Sequence, residues 1–334
     1  MRSISKMGIP AACLTILACT AVLGGWTAAV APDVSKKLHL GPRFETGQVI
    51  RYRLESSTTT VSHHSGIVND PQGPSKLTVN WSATVRMEVL AAAHDPSGTG
   101  DSSVRIRTTY EKSSATSTAD TYDPETERVE AQYRNLEGQS FEFMLDGSGN
   151  VMHMSGFQES AGDSSTAAMH AWVGQLAAGA GAPRDGIVVG QTWSSEQAVP
   201  ASPLAGLIWR SHSEYARNEP CKPLTGVGAP ASKTSETCAV LLTKLDLGGS
   251  RGPEHDATPD VYKKQNLRTS GTWTGTGSSL SSISLRTGGL VSVTQSSAER
   301  MDFTVKSEDG GRTIHYQGSV QSHMQLEQIS PAAK

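Results

Sequence analysis

The chain has few aromatic and few charged residues. Aromatic residues make up 5% of the 334 residues and charged residues 18%, and the formal net charge is −3. A mildly acidic chain offers no broad basic surface for nucleic acid or for an anionic membrane. We therefore expect no nucleic-acid partner.

Cysteine is also scarce. Of the four cysteines, Cys13 and Cys19 lie near the N-terminus, so Cys221 and Cys238 remain for the body of the chain. Their spacing is far from Cys-x-x-Cys, which argues against a redox-active pair. They enclose a segment rich in Pro, Gly and Ser, and closing it would contribute roughly 3 kcal/mol. The sequence therefore predicts a structural disulfide between them.

The N-terminal residues 1–29 have the pattern of a secretory signal. Arg2 and Lys6 precede an apolar stretch from about Met7 to Gly25, and small residues lead to a cleavage point after Ala29. Cleavage would move the net charge from −3 to −5, because two basic residues are lost. The alternatives are an uncleaved anchor or lipid attachment at Cys19. We expect a periplasmic, cell-surface or extracellular protein that meets a membrane only through its leader.

Alternation of apolar and polar residues dominates the rest of the chain. From Leu77 to Val89 every second residue is apolar, which is typical of a long strand with one dry face. Similar patterns predict strands at 47–55, 104–110, 129–133, 207–215, 239–247, 270–274, 301–305 and 314–326, and hairpins around 141–154 and 283–291.

One segment has helical spacing. Apolar residues recur every three to four positions from Ser164 to Ala178. We expect a tether over residues 30–46, a first β-rich half over 47–160, a helical bridge over 161–185 and a second β-rich half over 186–330. The predicted fold is mainly β, with antiparallel sheets bridged by one amphipathic helix. The sheets would form two duplicated half-barrel or sandwich units, or one large barrel-like sandwich.

Short motifs recur in the two halves, and their order resembles that of a known family. Gly190-Gln191 repeats Gly47-Gln48 at the start of a strand, and the first strand has a Gly-x-x-x-x-Tyr opening that ends at Tyr52. Together with the Val-Gly-Gln-Thr-Trp-Ser stretch of residues 189–194, this order resembles an uncharacterised family of exported bacterial β-rich proteins, some of them lipoproteins. The resemblance implies compartment and fold over most of the mature chain. That family has no established activity, so it implies no site residues.

Candidate catalytic and metal motifs are incomplete. Asp146, Ser148 and Asn150 have the first spacings of a calcium loop, but Phe157 stands where a bidentate Glu is needed. Residues 162–165 resemble the nucleophile block of a secreted esterase family, yet the chain has no Asp-x-x-His, and helix capping explains them. Residues 254–256, Glu-His-Asp, fit a solvated acidic loop better than a metal site.

Two further motifs are interpreted as loops. His63 and His64 fall in a predicted Ser-rich loop, and residues 275–279 fall in a predicted flexible turn, since no helix follows them to cradle a phosphate. We predict no catalytic residue, no metal and no cofactor.

Adaptable apolar residues suggest a binding groove. Its predicted lining is Met87, Met144, Met152, Met154, Met169 and Trp172. Core packing is the alternative for these residues. The function expected from the sequence is a non-enzymatic envelope module that binds a lipid, another apolar ligand or an envelope protein. The alternatives are a structural envelope protein and a hydrolase with an unrecognised site.

Overall fold

The computed structural model describes residues 37–41, 43–67, 73–93, 103–120, 125–146, 151–156, 172–176, 182–183, 185–199, 202–221, 236–249 and 257–329. The predicted leader, with Cys13 and Cys19, and residues 30–36 and 42 of the predicted tether lie outside these residues. Within them, no helix is both long enough and apolar enough to span a membrane.

The described chain is built mainly of long strands. Their alternating side chains, rich in Thr, Val, Tyr and Ser, suit a pleated sheet. The strands are β1 (Val49–Gly66), β2 (Ser75–Ala93), β3 (Ser103–Ala119), β4 (Ser140–Asp146), β5 (Val151–Ser155), β6 (Thr192–Ala198), β7 (Leu207–Pro220), β8 (Thr237–Gly249), β9 (Leu267–Ser284), β10 (Leu290–Ser307) and β11 (Thr313–Ile329).

These strands form one open antiparallel sheet of eleven described strands in the order β5-β4-β3-β2-β1-β11-β10-β9-β8-β7-β6. The chain starts in the middle, runs strand by strand to one edge, crosses to the other edge and returns to pair with its own start. Residues 51–66 of β1 pair with residues 314–329 of β11. The mainly β, antiparallel prediction is confirmed, but the two halves share one sheet, because the β1–β11 pairing continues the hydrogen-bond ladder between them.

The Gly-Gln motifs that open β1 and β6 have the same local conformation. Gly47 and Gly190 both have φ +84. The amide of Gly47 donates to the Val89 carbonyl at 2.8 Å, and that of Gly190 donates to the Tyr215 carbonyl at 2.7 Å. The Oε1 atoms of Gln48 and Gln191 each accept a backbone N–H from three residues earlier. The predicted echo is therefore a repeated strand entry, while duplication of the whole unit stays a prediction.

Three short helices accompany the described strands: α1 (Glu125–Arg134), α2 (172–175) and α3 (Asp260–Lys263). The strand predicted at 129–133 is wrong, since these residues lie in α1. Val129 and Tyr133 fit a two-residue period, but they are also one helical turn apart, and both are buried. The helix predicted over 164–178 is described only at 172–176, and its full length stays a prediction.

The predicted loops at His63 and at residues 275–279 are also wrong, because both lie inside strands β1 and β9. Their Ser, Thr and Gly content suggested turns, but both segments pair along a full ladder. A Cβ on Gly275 would lie 2.9 Å from the Cγ of Glu299, and one on Gly277 would lie 2.8 Å from the Ser296 carbonyl oxygen. These glycines mark a close approach of β9 to β10 rather than a turn.

Candidate functional site

The two faces of the sheet differ in charge. We call inner the face that carries Leu54, Val85 and Leu326, which are fully buried, and outer the opposite face. In the described strands, the alternation of side chains places every Lys and Arg on the outer face. Of their Asp and Glu residues, Glu299 alone lies on the inner face. The inner face is therefore nearly free of charge, which suits apolar contacts.

At the end of the sheet where β1 begins and β11 ends, called the near end, the inner face carries a large hydrophobic core. This core includes Trp172, which is 0% exposed and donates from Nε1 to the Tyr110 hydroxyl at 2.9 Å. The Trp81 Nε1 donates to Ser113 Oγ, which donates to the Tyr133 carbonyl at 2.6 Å. Burial raises the pKa of Tyr133 to about 12. The buried indole N–H groups of Trp81 and Trp172 therefore both find acceptors inside this core.

At the opposite, far end, a second and smaller core lies on the inner face around Leu204, Leu207, Leu247 and Phe303. It includes Trp273, Phe303 and Tyr316, and the ring of His64 contacts Tyr316. We call these four rings, which lie on four neighbouring strands, the aromatic ladder. The ring centroids of Phe303 and Tyr316 are 4.9 Å apart, and the planes differ by 13°. Phe303 is buried, whereas the other three rings are only partly buried. The ladder is thus an apolar surface that the described residues leave partly open.

Small side chains separate the two cores. The register aligns Gly277, Ser297, Ser322 and Thr58 across four strands of the inner face. Ser297 Oγ and Ser322 Oγ lie 2.7 Å apart, so these hydroxyls are paired with each other. Longer side chains stand on both sides of this row on β10 and β11, namely Gln295 and Met324 towards the near end and Glu299 and Val320 towards the far end, and we call the row of small side chains the trough.

Glu299 lies beside this row, towards the far end. Its Cγ lies over Gly275, where any side chain would collide with it. The Trp273 Nε1 donates to Glu299 Oε2 at 2.9 Å. Burial raises the pKa of Glu299, and the Trp273 hydrogen bond opposes that rise. A single carboxyl group is therefore held between the trough and the aromatic ladder.

The outer face carries a groove of about 560 Å³ over the middle of β1, β11, β10 and β9. Hydroxyl, amide and imidazole groups line it, among them Ser57, Gln321, His323, Ser296 and Thr276. It contains no large apolar side chain, so it fits a polar molecule better than an apolar one.

Two Ser–His pairs lie on the outer face. The Oγ–Nδ1 distances are 2.7 Å for Ser194 and His212 and 3.0 Å for Ser296 and His323. No carboxylate among the described residues is hydrogen-bonded to either imidazole. Asp302 instead contacts His315 Nε2 at 2.7 Å, in a pair that contains no serine. The described residues therefore assemble parts of a catalytic triad at separate places rather than one triad.

The residues predicted to line an apolar groove do not share one surface. Met87 and Trp172 are buried in the large core, and Met154 packs against it. Met144 alternates with buried Phe143 and Leu145, so it faces outward, and Met152 is 64% exposed. Met169 lies outside the described residues. Met87 and Trp172 are therefore core residues, as the alternative interpretation held. Met144 lies on the opposite face of the sheet because side chains alternate along β4.

The predicted disulfide is confirmed. Cys221 and Cys238 are bonded, with their Cα atoms 5.0 Å apart. Such a bond is typical of compartments outside the cytoplasm. The described residues contain no group of His, Cys, Asp and Glu that could hold a metal ion. The Glu-His-Asp motif of 254–256, residues 148 and 150 of the calcium-like loop and the esterase-like residues 162–165 lie outside the described part.

Sequence reasoning missed Glu299 and the aromatic ladder. A signal was present in the sequence of β10. The alternate positions that share a face with Glu299 hold uncharged residues, whereas the charged residues Arg300 and Asp302 lie on the opposite face. Its partner Trp273 lies on another strand, and only the register places them together. No known protein family matches this chain, and no curated protein matches it.

Proposed function

We propose that this protein is an exported, non-enzymatic binding module that holds an apolar ligand in the trough of the inner face. The observation that carries this proposal is the segregation of charge, because an inner face with one ionisable carboxyl group offers an apolar molecule a surface with little desolvation cost. The aromatic ladder adds partly exposed rings that a ligand would cover.

The shape of the inner face supports the same proposal. The large core occupies the near end and the smaller core the far end, so the small side chains between them leave room for a slender molecule such as an acyl chain. Ligand sites of this kind combine an apolar lining with few polar groups. The outer groove has the opposite lining, and we therefore place the apolar ligand on the inner face.

Two neighbouring serines provide a matched test. Ser297 lies on the floor of the trough and contacts Ser322 at 2.7 Å, whereas Ser296 lies on the outer face and contacts His323 at 3.0 Å. Both belong to β10 and each contacts β11, so Ser297→Phe and Ser296→Phe differ mainly in the face that they fill.

The experiment purifies the mature protein and both variants from an envelope fraction, followed by native mass spectrometry and lipid analysis of an organic extract. We expect a stoichiometric apolar ligand with the natural protein and with Ser296→Phe, and its loss from Ser297→Phe. Bare natural protein that also fails to bind added single-chain lipids would overturn the proposal. Crosslinking for an envelope protein would then test the alternative partner.

A further inference from the structure

We propose that the ligand carries a positively charged head group, of the ammonium type, that pairs with the Glu299 carboxylate at the trough. This inference rests on the proposed function and specifies its ligand class. It concerns the chemistry of the head group, whereas the proposal above concerns the apolar body.

The charge distribution is the first argument. The inner face of the described strands contains one carboxyl group and neither Lys nor Arg, and its one imidazole, His64, lies on β1, two strands away from Glu299 on β10. The Lys and Arg residues of these strands face outward, where they pair with acids such as Glu111 and Glu142. A partly buried carboxylate without a nearby cation is unfavourable. A cation on the ligand would remove this cost.

The aromatic ladder is the second argument. Trp273 holds Glu299 Oε2 through its Nε1 at 2.9 Å, and the Trp273 ring lies parallel to Phe303, with 5° between their planes. Tyr316 continues the ladder on the other side of Phe303. Aromatic faces attract ammonium groups, and they do so more strongly when the site is partly desolvated. Phe303 is buried and stacked between Trp273 and Tyr316, so the exposed part of the Trp273 ring is the aromatic surface that a head group at Glu299 would meet beside the carboxylate.

The pKa of Glu299 agrees with this geometry. Burial raises it because the charged form loses hydration. A bound cation favours the charged form and would lower that pKa again. The absence of a side chain at Gly275 leaves the space that the Glu299 side chain occupies.

The test uses two probes with the same dodecyl chain, dodecyltrimethylammonium and a neutral dodecyl ether, both below their micelle concentrations at neutral pH. Binding is measured by titration calorimetry for the natural protein, for Glu299→Gln and for Glu55→Gln. Glu55 is an exposed outer-face acid on β1 and serves as the matched control. We expect the natural protein and Glu55→Gln to prefer the cationic probe by about tenfold or more, equal to about 1.4 kcal/mol. Glu299→Gln should bind both probes equally.

The outcomes separate the two proposals. Equal binding of both probes by the natural protein, or a preference that persists in Glu299→Gln, overturns the cationic head group and leaves the apolar site intact. If neither probe binds the natural protein, the apolar site fails as well. The preference of the natural protein is measured first, so its absence overturns the cationic head group without any variant.

Discussion

The two ends of the inner face use aromatic residues in different ways. In the core of the near end, Trp172 and Tyr110 are buried and satisfy each other's polar atoms. In the aromatic ladder of the far end, Trp273 and Tyr316 remain partly exposed, and the Trp273 Nε1 donates to a carboxylate. The comparison teaches that ring content alone does not identify a binding surface. The partly exposed rings beside the single carboxyl group of Glu299 are the feature on which our proposed binding surface rests.

The largest expected effect contrasts the two tryptophans. Trp172→Ala should lower the free energy of unfolding by about 3–5 kcal/mol, because it opens a cavity in a closed core and leaves the Tyr110 hydroxyl without its donor. Trp273→Ala should cost less, about 1–2 kcal/mol, because its ring is only partly removed from water. Urea unfolding of both variants measures the difference. Equal losses would show that the far end is as closed as the near end.

The disulfide should contribute next. Cys221 and Cys238 join the end of β7 to the start of β8 at the near end. Replacing both with Ser should lower the free energy of unfolding by roughly 3 kcal/mol in the chain-entropy model. Binding of dodecyltrimethylammonium, measured below the unfolding transition, should stay unchanged because the bridge is at the end away from the aromatic ladder. Loss of binding in the folded variant would mean that the two ends are coupled.

A third prediction concerns pH. Because burial raises the pKa of Glu299, the stability linked to its protonated form is present below the ordinary value of 4.5 and is lost as pH rises through the raised pKa. Glu299→Gln stays neutral, so the natural protein should lose stability relative to this variant over the pH range that begins at about 4.5 and extends upward through the raised pKa. Thermal unfolding across that range checks the sign, with Glu55→Gln as the control. An opposite slope would mean that Glu299 has a cation partner in the folded protein.

The smallest effect is expected on the outer face. Arg107 and Arg105 donate to Glu142, and these hydrogen bonds lower its pKa. Glu142→Gln should cost about 0.5–1 kcal/mol near neutral pH, since both arginines are solvent-exposed. The cost should vanish as pH falls through the lowered pKa, because the natural carboxylate then becomes protonated. Urea unfolding at two pH values tests this, and a cost that persists in acid would point to packing instead of charge.

Several elements were predictable because they depend on local periodicity. The alternation from Leu77 to Val89 lies within β2, and the hairpin around residues 141–154 is formed by β4 and β5. The continuation of β1 beyond Glu55 was not predictable in this way. Its residues 56–65 are mostly Ser, Thr and His, so they offer no apolar alternation, and pairing on both sides makes them a strand.

The candidate site was less predictable than the fold. The methionines were chosen for their side-chain chemistry, and the register distributes Met87, Met144 and Met152 over different surfaces. The helical form of α1 was also hard to predict from the sequence. Val129 and Tyr133 are four residues apart, a spacing that fits the period of a strand as well as that of a helix. Contacts with β3, such as Ser117 Oγ donating to the Thr126 carbonyl at 3.0 Å, accompany the helical form.

The sequence by itself determined which residues share a face of each strand, since side chains alternate with a period of two whatever the strand's neighbours are. Bulges in β3 and β7 shift this alternation, and the strand pairing that contains them places Lys112 and Arg217 on the same face as the other basic residues. Only the tertiary structure decided that β1 pairs with β11, that the two halves form one sheet and that Glu299 meets Trp273. These features depend on the order and register of strands far apart in the chain, and local periodicity contains no information about either.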